Sequence, residues 1–154
     1  MTVARLAGPA DVDGFRDVAR RLMASGAAPE AVHWIVDGEG ALPWDTDDVP
    51  VAHAPVAPFH VPAGFVALCE TALLHRDPQR FALMYRLLWR LRHEPGFWCD
   101  ELDPERRRAD QLAREVGRDI HKMRAFVRFT PVSEPDGERP VSYTHLTLPT
   151  ICSV

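Results

Sequence analysis

Twice in this chain an Asp-Pro pair stands directly before a run of apolar residues at helical spacing, and that punctuation constrains the fold more than any other feature. An aspartate before a helix accepts hydrogen bonds from free N–H groups of the first turn, and proline just inside lacks the N–H that would go unpaired there. Asp77-Pro78 opens "PQRFALMYRLLWRLRHE", where Phe81, Met84, Tyr85, Leu88 and Leu91 fall on one stripe. Asp103-Pro104 opens a second helix, with Ala109, Leu112, Ala113, Val116, Ile120 and Met123 on one side. Arg107, Arg114, Arg118 and Lys122 lie on the opposite side of the same helical wheel. "FVALCETALLH" (65–75) precedes both and is apolar enough to be a third, largely buried helix.

The first 36 residues follow a different rule. "TVARL" reads as a strand, and Asp11 or Asp13 can cap a helix with Phe15, Val18, Ala19, Leu22 and Met23 on its inner face. Gly26 suits the left-handed residue that ends such a helix. "AVHWIV" (31–36) is β-branched and aromatic, a second strand. Residues 1–36 thus form a βαβ-like unit. Residues 37–64 hold five prolines and a "DTDD" patch, and read as a linker. His53 and His60 lie there without the further ligands a closed metal site needs. "RAFVRFTPV" alternates like a strand, "SEPDGERP" supplies turn residues, and a returning strand would complete a β-hairpin. The expected class is α+β: a βαβ-like start, a Pro-rich linker, and over 65–140 a three-helix segment with the start of the hairpin.

The last fourteen residues, "VSYTHLTLPTICSV", contain no charged group. Back-translated, the first ten match the transposase end and primer tail of a sequencing-library adapter, and the closing valine falls just before a stop codon of that adapter. Residues 141–154 are therefore expected to be adapter-derived, the genuine chain being cut near Pro140.

Charge is uneven. Residues 1–64 carry four arginines against nine acids, whereas residues 76–128 carry thirteen cations against nine acids. A basic block can face nucleic acid, although a solvated helical surface accounts for it as well. His121, Lys122, Arg124 and Arg128 gather where the last helix meets the hairpin. Arginine gives bidentate phosphate contacts and lysine a point charge, so Arg107, Arg114, Arg118, His121, Lys122, Arg124 and Arg128 are the candidate DNA-contact residues. The alternative is structural: cations favour a helix C-terminus, and Glu115 and Asp119 offer i,i+4 partners. Cys69 and Cys99 lack metal spacing and are expected to be buried apolar residues. There is no phosphate loop, dinucleotide fingerprint, nucleophile elbow or zincin motif, so no catalytic, cofactor or metal residue is assigned. No apolar run is long enough to cross a bilayer and no secretion signal opens the chain, which makes the cytoplasm the expected compartment.

"DPQRFALMYRLLWRLRHEP" together with "GRDIHKMRAFVRF" closely resembles a bacterial domain of unknown function. That domain occurs at the N-terminus of UdgX-type uracil-DNA glycosylases, and elsewhere beside a radical-SAM partner as a DNA-metabolism protein. The resemblance extends over residues 1–140 and is most specific at 121–129. It implies an accessory domain in uracil repair that touches DNA, or one that docks a glycosylase in cis or a radical-SAM protein in trans. The iron–sulfur cluster and the covalent histidine of such proteins belong to the glycosylase domain, so no residue here inherits those roles, His121 included.

Overall fold

The computed structural model describes residues 1–38 and 60–125, together with the backbone of Phe126, 128–134 and 137–143. The Pro-rich stretch 39–59, His53 and the end of the neutral tail from Thr144 onward lie outside the described residues. The chain is α+β, in two compact units, 1–117 and 118–154.

The first unit begins with β1 (Thr2–Leu6), α1 (Val12–Ser25) and β2 (Val32–Val36). The strands pair in parallel, Thr2 with Val32 through Leu6 with Val36. Asp11 sets the start of α1: Oδ1 accepts from Gly14 N at 2.9 Å and Oδ2 from Ala7 N at 3.1 Å. Gly26 ends it at φ 70°, a left-handed conformation that glycine adopts without a Cβ penalty. Phe15, Val18, Ala19, Leu22 and Met23 are the buried face, the five residues that the spacing places there.

Three helices complete the architecture: α2 (Ala63–Ala72), α3 (Arg80–His93) and α4 (Pro104–Phe126). The first unit keeps one hydrophobic core, shared by the strands, α1, α2, α3 and the first turns of α4. Against this core packs the half-buried Trp34 of β2, 6.1 Å from Phe81, 5.9 Å from Tyr85 and 5.2 Å from Phe15, centroid to centroid. Tyr85 also donates its hydroxyl to Ala27 O at 2.7 Å, so the phenol fills the core and still satisfies its polar end.

Several sequence expectations need correction. Helix α3 starts at Arg80, because Asp77 Oδ1 is used by Gln79 N in a preceding turn and Arg80 N bonds Asp77 O. Its buried stripe keeps Phe81, Met84 and Tyr85 but takes Leu87, while Leu88 and Leu91 are only half-buried. Cys99 is exposed at the end of a 3-10 turn (Phe97–Cys99), where Phe97 is the residue turned into the core; only Cys69 is buried.

Burial along α4 also stops earlier than its apolar period does. Ala109, Leu112 and Val116 are buried, Ile120 is intermediate, and Met123 is 60% exposed. Helix α4 continues through Phe126, so residues 124–126 are helical and the strand begins at Arg128.

In the second unit β3 (Arg128–Glu134) and β4 (Gly137–Tyr143) form an antiparallel hairpin. Its register pairs Arg128 with Tyr143, Phe129 with Ser142 and Thr130 with Val141. The first three residues of the neutral tail therefore sit in a strand.

Candidate nucleic-acid interface

Helix α4 is positioned by its own first turn. Asp103 Oδ1 accepts from Glu105 N and Arg106 N, both at 3.0 Å, and its Oδ2 receives Arg90 Nη2 at 2.9 Å. With Ala109, Leu112 and Val116 turned into the core, the opposite side of the helix is left to its cations.

Most arginines of the first unit are already committed. Arg86 reaches Glu105 at 2.7 Å, and Arg90 contacts Glu94, Asp103 and Glu105 at 2.9–3.0 Å. Arg108 holds Asp77 at 2.6 Å, Arg16 holds Glu70 at 2.5 Å and Arg5 holds Asp37 at 2.8 Å. Arg106 lays its guanidinium 4.4 Å from the Trp98 ring centroid and donates to Trp98 O.

The candidate contact residues behave differently. Arg107, Arg114, Arg118, His121, Lys122 and Arg124 are all exposed. Arg114 donates only to Asp110 O on its own helix, at 3.2 Å. The side chains of the other five make no hydrogen bond or ion pair among the described residues. Glu115, expected to pair along the cation stripe, receives His75 Nε2 at 2.9 Å and Gln111 Nε2 at 2.9 Å. For Arg128 only the backbone, in β3, is described.

Within the first unit, the structure brings Arg107 and Arg114 together. With Arg108, Gln111, Leu102 and Pro104 they line an open cleft of about 540 Å³. No carboxylate lines it. Arg108 is held by Asp77, but Arg107 and Arg114 have no carboxylate partner among the described residues, and two such guanidiniums with the Gln111 amide around one concavity attract and orient a phosphate. Arg108 and Gln111 were missed by sequence reasoning. Adjacency to Arg107 hid Arg108, and Gln111, four residues on from it, carries no charge to draw attention.

A second cleft of about 530 Å³ lies beside the start of α3, with Trp34, Asp77, Gln79, Leu83 and Arg86 in its wall. It shares Pro104 and Arg108 with the first. Here the charges cancel, because Arg86 and Arg108 are paired with Glu105 and Asp77.

One imidazole–carboxylate pair resembles a general base and is not one. His75 Nδ1 accepts from Asp77 N at 2.9 Å, so Nε2 carries the proton that it donates to Glu115. Both ring nitrogens are used in holding the α2–α3 turn to α4. Of the two described cysteines, burial pushes the Cys69 thiol up to about 12, and Cys99 is exposed. Among the described residues no three His, Cys, Asp or Glu side chains are grouped to hold a metal, and no helix is long and apolar enough to cross a membrane.

A family model described as "Domain of unknown function (DUF4130)" matches residues 78–147, a little under half the chain. The match covers α3, α4 and the hairpin, and runs past Pro140 into the neutral tail. No curated protein and no solved structure matches the chain.

Proposed function

We propose that this chain is a non-catalytic, DNA-associated accessory module, and that it serves a uracil-repair protein of the UdgX type. The observation that carries the DNA contact is the cleft lined by Arg107, Gln111 and Arg114, whose two arginines have no carboxylate partner among the described residues, whereas Arg86, Arg90 and Arg108 are ion-paired. Phosphate contacts of this kind position a protein on DNA without reading sequence. Arg118, His121, Lys122 and Arg124 are exposed and add further cations. The repair setting rests on the resemblance of the 121–129 run, and base chemistry would fall to a glycosylase domain with its own iron–sulfur cluster.

The test is binding of the full chain to fluorescent single- and double-stranded DNA, with and without uracil, across a salt series. The expected result is a dissociation constant of about 10⁻⁴–10⁻⁶ M at physiological salt, tightening steeply as salt is lowered. Absence of binding even at low salt overturns the DNA contact.

A second reading, on the same resemblance, is a module that docks a glycosylase or a radical-SAM protein. Capture of such a partner that survives Arg118→Ala and Lys122→Ala, with no DNA affinity, selects that reading.

A further inference from the structure

The two clefts of the first unit differ in electrostatics but share a wall. In the first, Arg107 and Arg114 have no carboxylate partner among the described residues and Gln111 adds an amide, so the local field is positive. In the second, Arg86 with Glu105 and Arg108 with Asp77 form two closed ion pairs, leaving no net charge. Its remaining walls are flat or apolar: Trp34, Pro78, Ala82 and Leu83. His33, exposed on β2, and Gln79 add hydrogen-bonding groups at its edge.

One polar atom of this second cleft's residues is left over. Trp34 Nε1 is buried and has no acceptor among the described residues. A buried indole N–H normally finds a partner.

We propose that the two clefts together form a subsite for one nucleotide of a single strand: the phosphate at Arg107, Arg114 and Gln111, the base in the neutral cleft beside Trp34. This rests on the phosphate-contact reading above and adds the base to it. A neutral, planar, acceptor-rich ring suits walls of indole, proline and leucine, whereas a phosphate gains nothing from arginines already neutralised by carboxylates. Arg108 ties the halves together. It lines both clefts, and its Asp77 pair fixes the guanidinium at their shared edge. Pro104, at the first position of α4, forms the rest of that edge. Stacked duplex bases cannot enter such a cleft, so the subsite takes a base already free of its stack.

The test compares a thymidine oligonucleotide with a strand of equal length carrying abasic residues, both bound to the full chain at low salt. The expected result is that the base-bearing strand binds about tenfold tighter, within the range for base–aromatic contacts. His33→Ala, at an exposed position, and Ala82→Trp, which fills the neutral cleft, should remove that difference while leaving the salt dependence in place. Arg107→Ala with Arg114→Ala should weaken both strands alike. Thermal melts of each variant confirm that it folds. Equal, salt-dependent binding of both strands overturns the base subsite and leaves the phosphate contact standing. If neither strand binds, the phosphate contact falls and the subsite with it.

Discussion

Arg90 Nη2 and Asp103 Oδ2 meet at 2.9 Å, and through this pair the last turn of α3 is fastened to the residue that caps α4. Asp103 is 9% exposed, so its carboxylate depends on these partners rather than on water. Removing it unpairs the Glu105 and Arg106 N–H groups and takes one carboxylate from Arg90. Asp103→Ala is expected to destabilise the chain by about 3 kcal/mol, combining a lost cap with a broken, largely buried pair. Asp103→Asn keeps an acceptor oxygen for the cap and should cost about 1 kcal/mol, mainly the charged part of the bond. Urea unfolding of both variants checks the order.

The same contacts set the acid limit of the fold. The Arg90 hydrogen bond holds the Asp103 carboxyl below its ordinary 3.8. Burial pushes Asp77 upward, but the Gln79 N–H and the Arg108 guanidinium outweigh it, and the net shift is also downward. A carboxyl depressed in the folded state contributes stability above its unfolded value, and that contribution is lost as pH falls through the folded value. Unfolding free energy should hold near neutrality and fall from about pH 4 downward, and Asp103→Asn should shallow that fall. A pH series of urea titrations reads both slopes.

Arg80 is 1% exposed, and its guanidinium donates to Leu73 O at 3.0 Å, Asp77 O at 2.9 Å and Pro9 O at 2.9 Å. Truncation would take the side-chain donors from Leu73 O and Pro9 O, leave Asp77 O only the Arg80 N–H, and open a void beside Phe81, whose ring lies 4.4 Å from the guanidinium carbon. Arg80→Ala should therefore cost about 3 kcal/mol or more. Lysine cannot reproduce the planar fork, so Arg80→Lys should recover less than half of that. Thermal melts compare the two.

Thiol chemistry should separate the two described cysteines. Only the thiolate reacts, and burial raises the Cys69 thiol to about 12, whereas Cys99 is exposed. At pH 8 an alkylating reagent should label Cys99 within minutes and spare Cys69 until denaturant is added. Peptide mapping by mass spectrometry tells them apart, and early labelling of Cys69 would show that α2 opens readily.

For DNA, replacing Arg107 and Arg114 together by alanine should lower the salt slope of binding by about 2, close to one per lost phosphate contact. Equivalent loss on all sequences is expected, since such contacts carry no sequence information.

The first 36 residues were legible because each local signal there agrees with the tertiary outcome. Asp11 caps, Gly26 stops, and the i, i+3, i+4 set of α1 is the set that packs. Both Asp-Pro signals marked real helix entries, yet at Asp77 the carboxylate is spent on Gln79 N two residues before α3 begins. Along α3 and α4 the period located the helices but not the limits of their buried faces. Leu87 replaced Leu88 and Leu91, and Met123 kept the apolar spacing without the burial. A period reports what a face could cover, whereas burial depends on which neighbours arrive.

The candidate site divides in the same way. Exposure of Arg107, Arg114, Arg118 and Lys122 follows from their wheel positions. Apart from Arg90–Glu94 at i,i+4, the ion pairs that commit Arg86, Arg90 and Arg108 depend on carboxylates 13 to 31 positions away, a separation that single-chain periodicity cannot see. The buried role of Arg80 was hidden for the same reason, since its partner carbonyls carry no side-chain signature.

The Pro9–Arg80 bond joins positions 71 residues apart, and Tyr85 reaches Ala27 across 58. During synthesis the opening strand–helix–strand therefore leaves the ribosome with Trp34 uncovered, and it stays so until α3 has emerged. The vulnerable interval in the life of this protein is the time taken to translate the proline-rich crossing, when an aromatic strand without its lid is open to chaperones or to its neighbours.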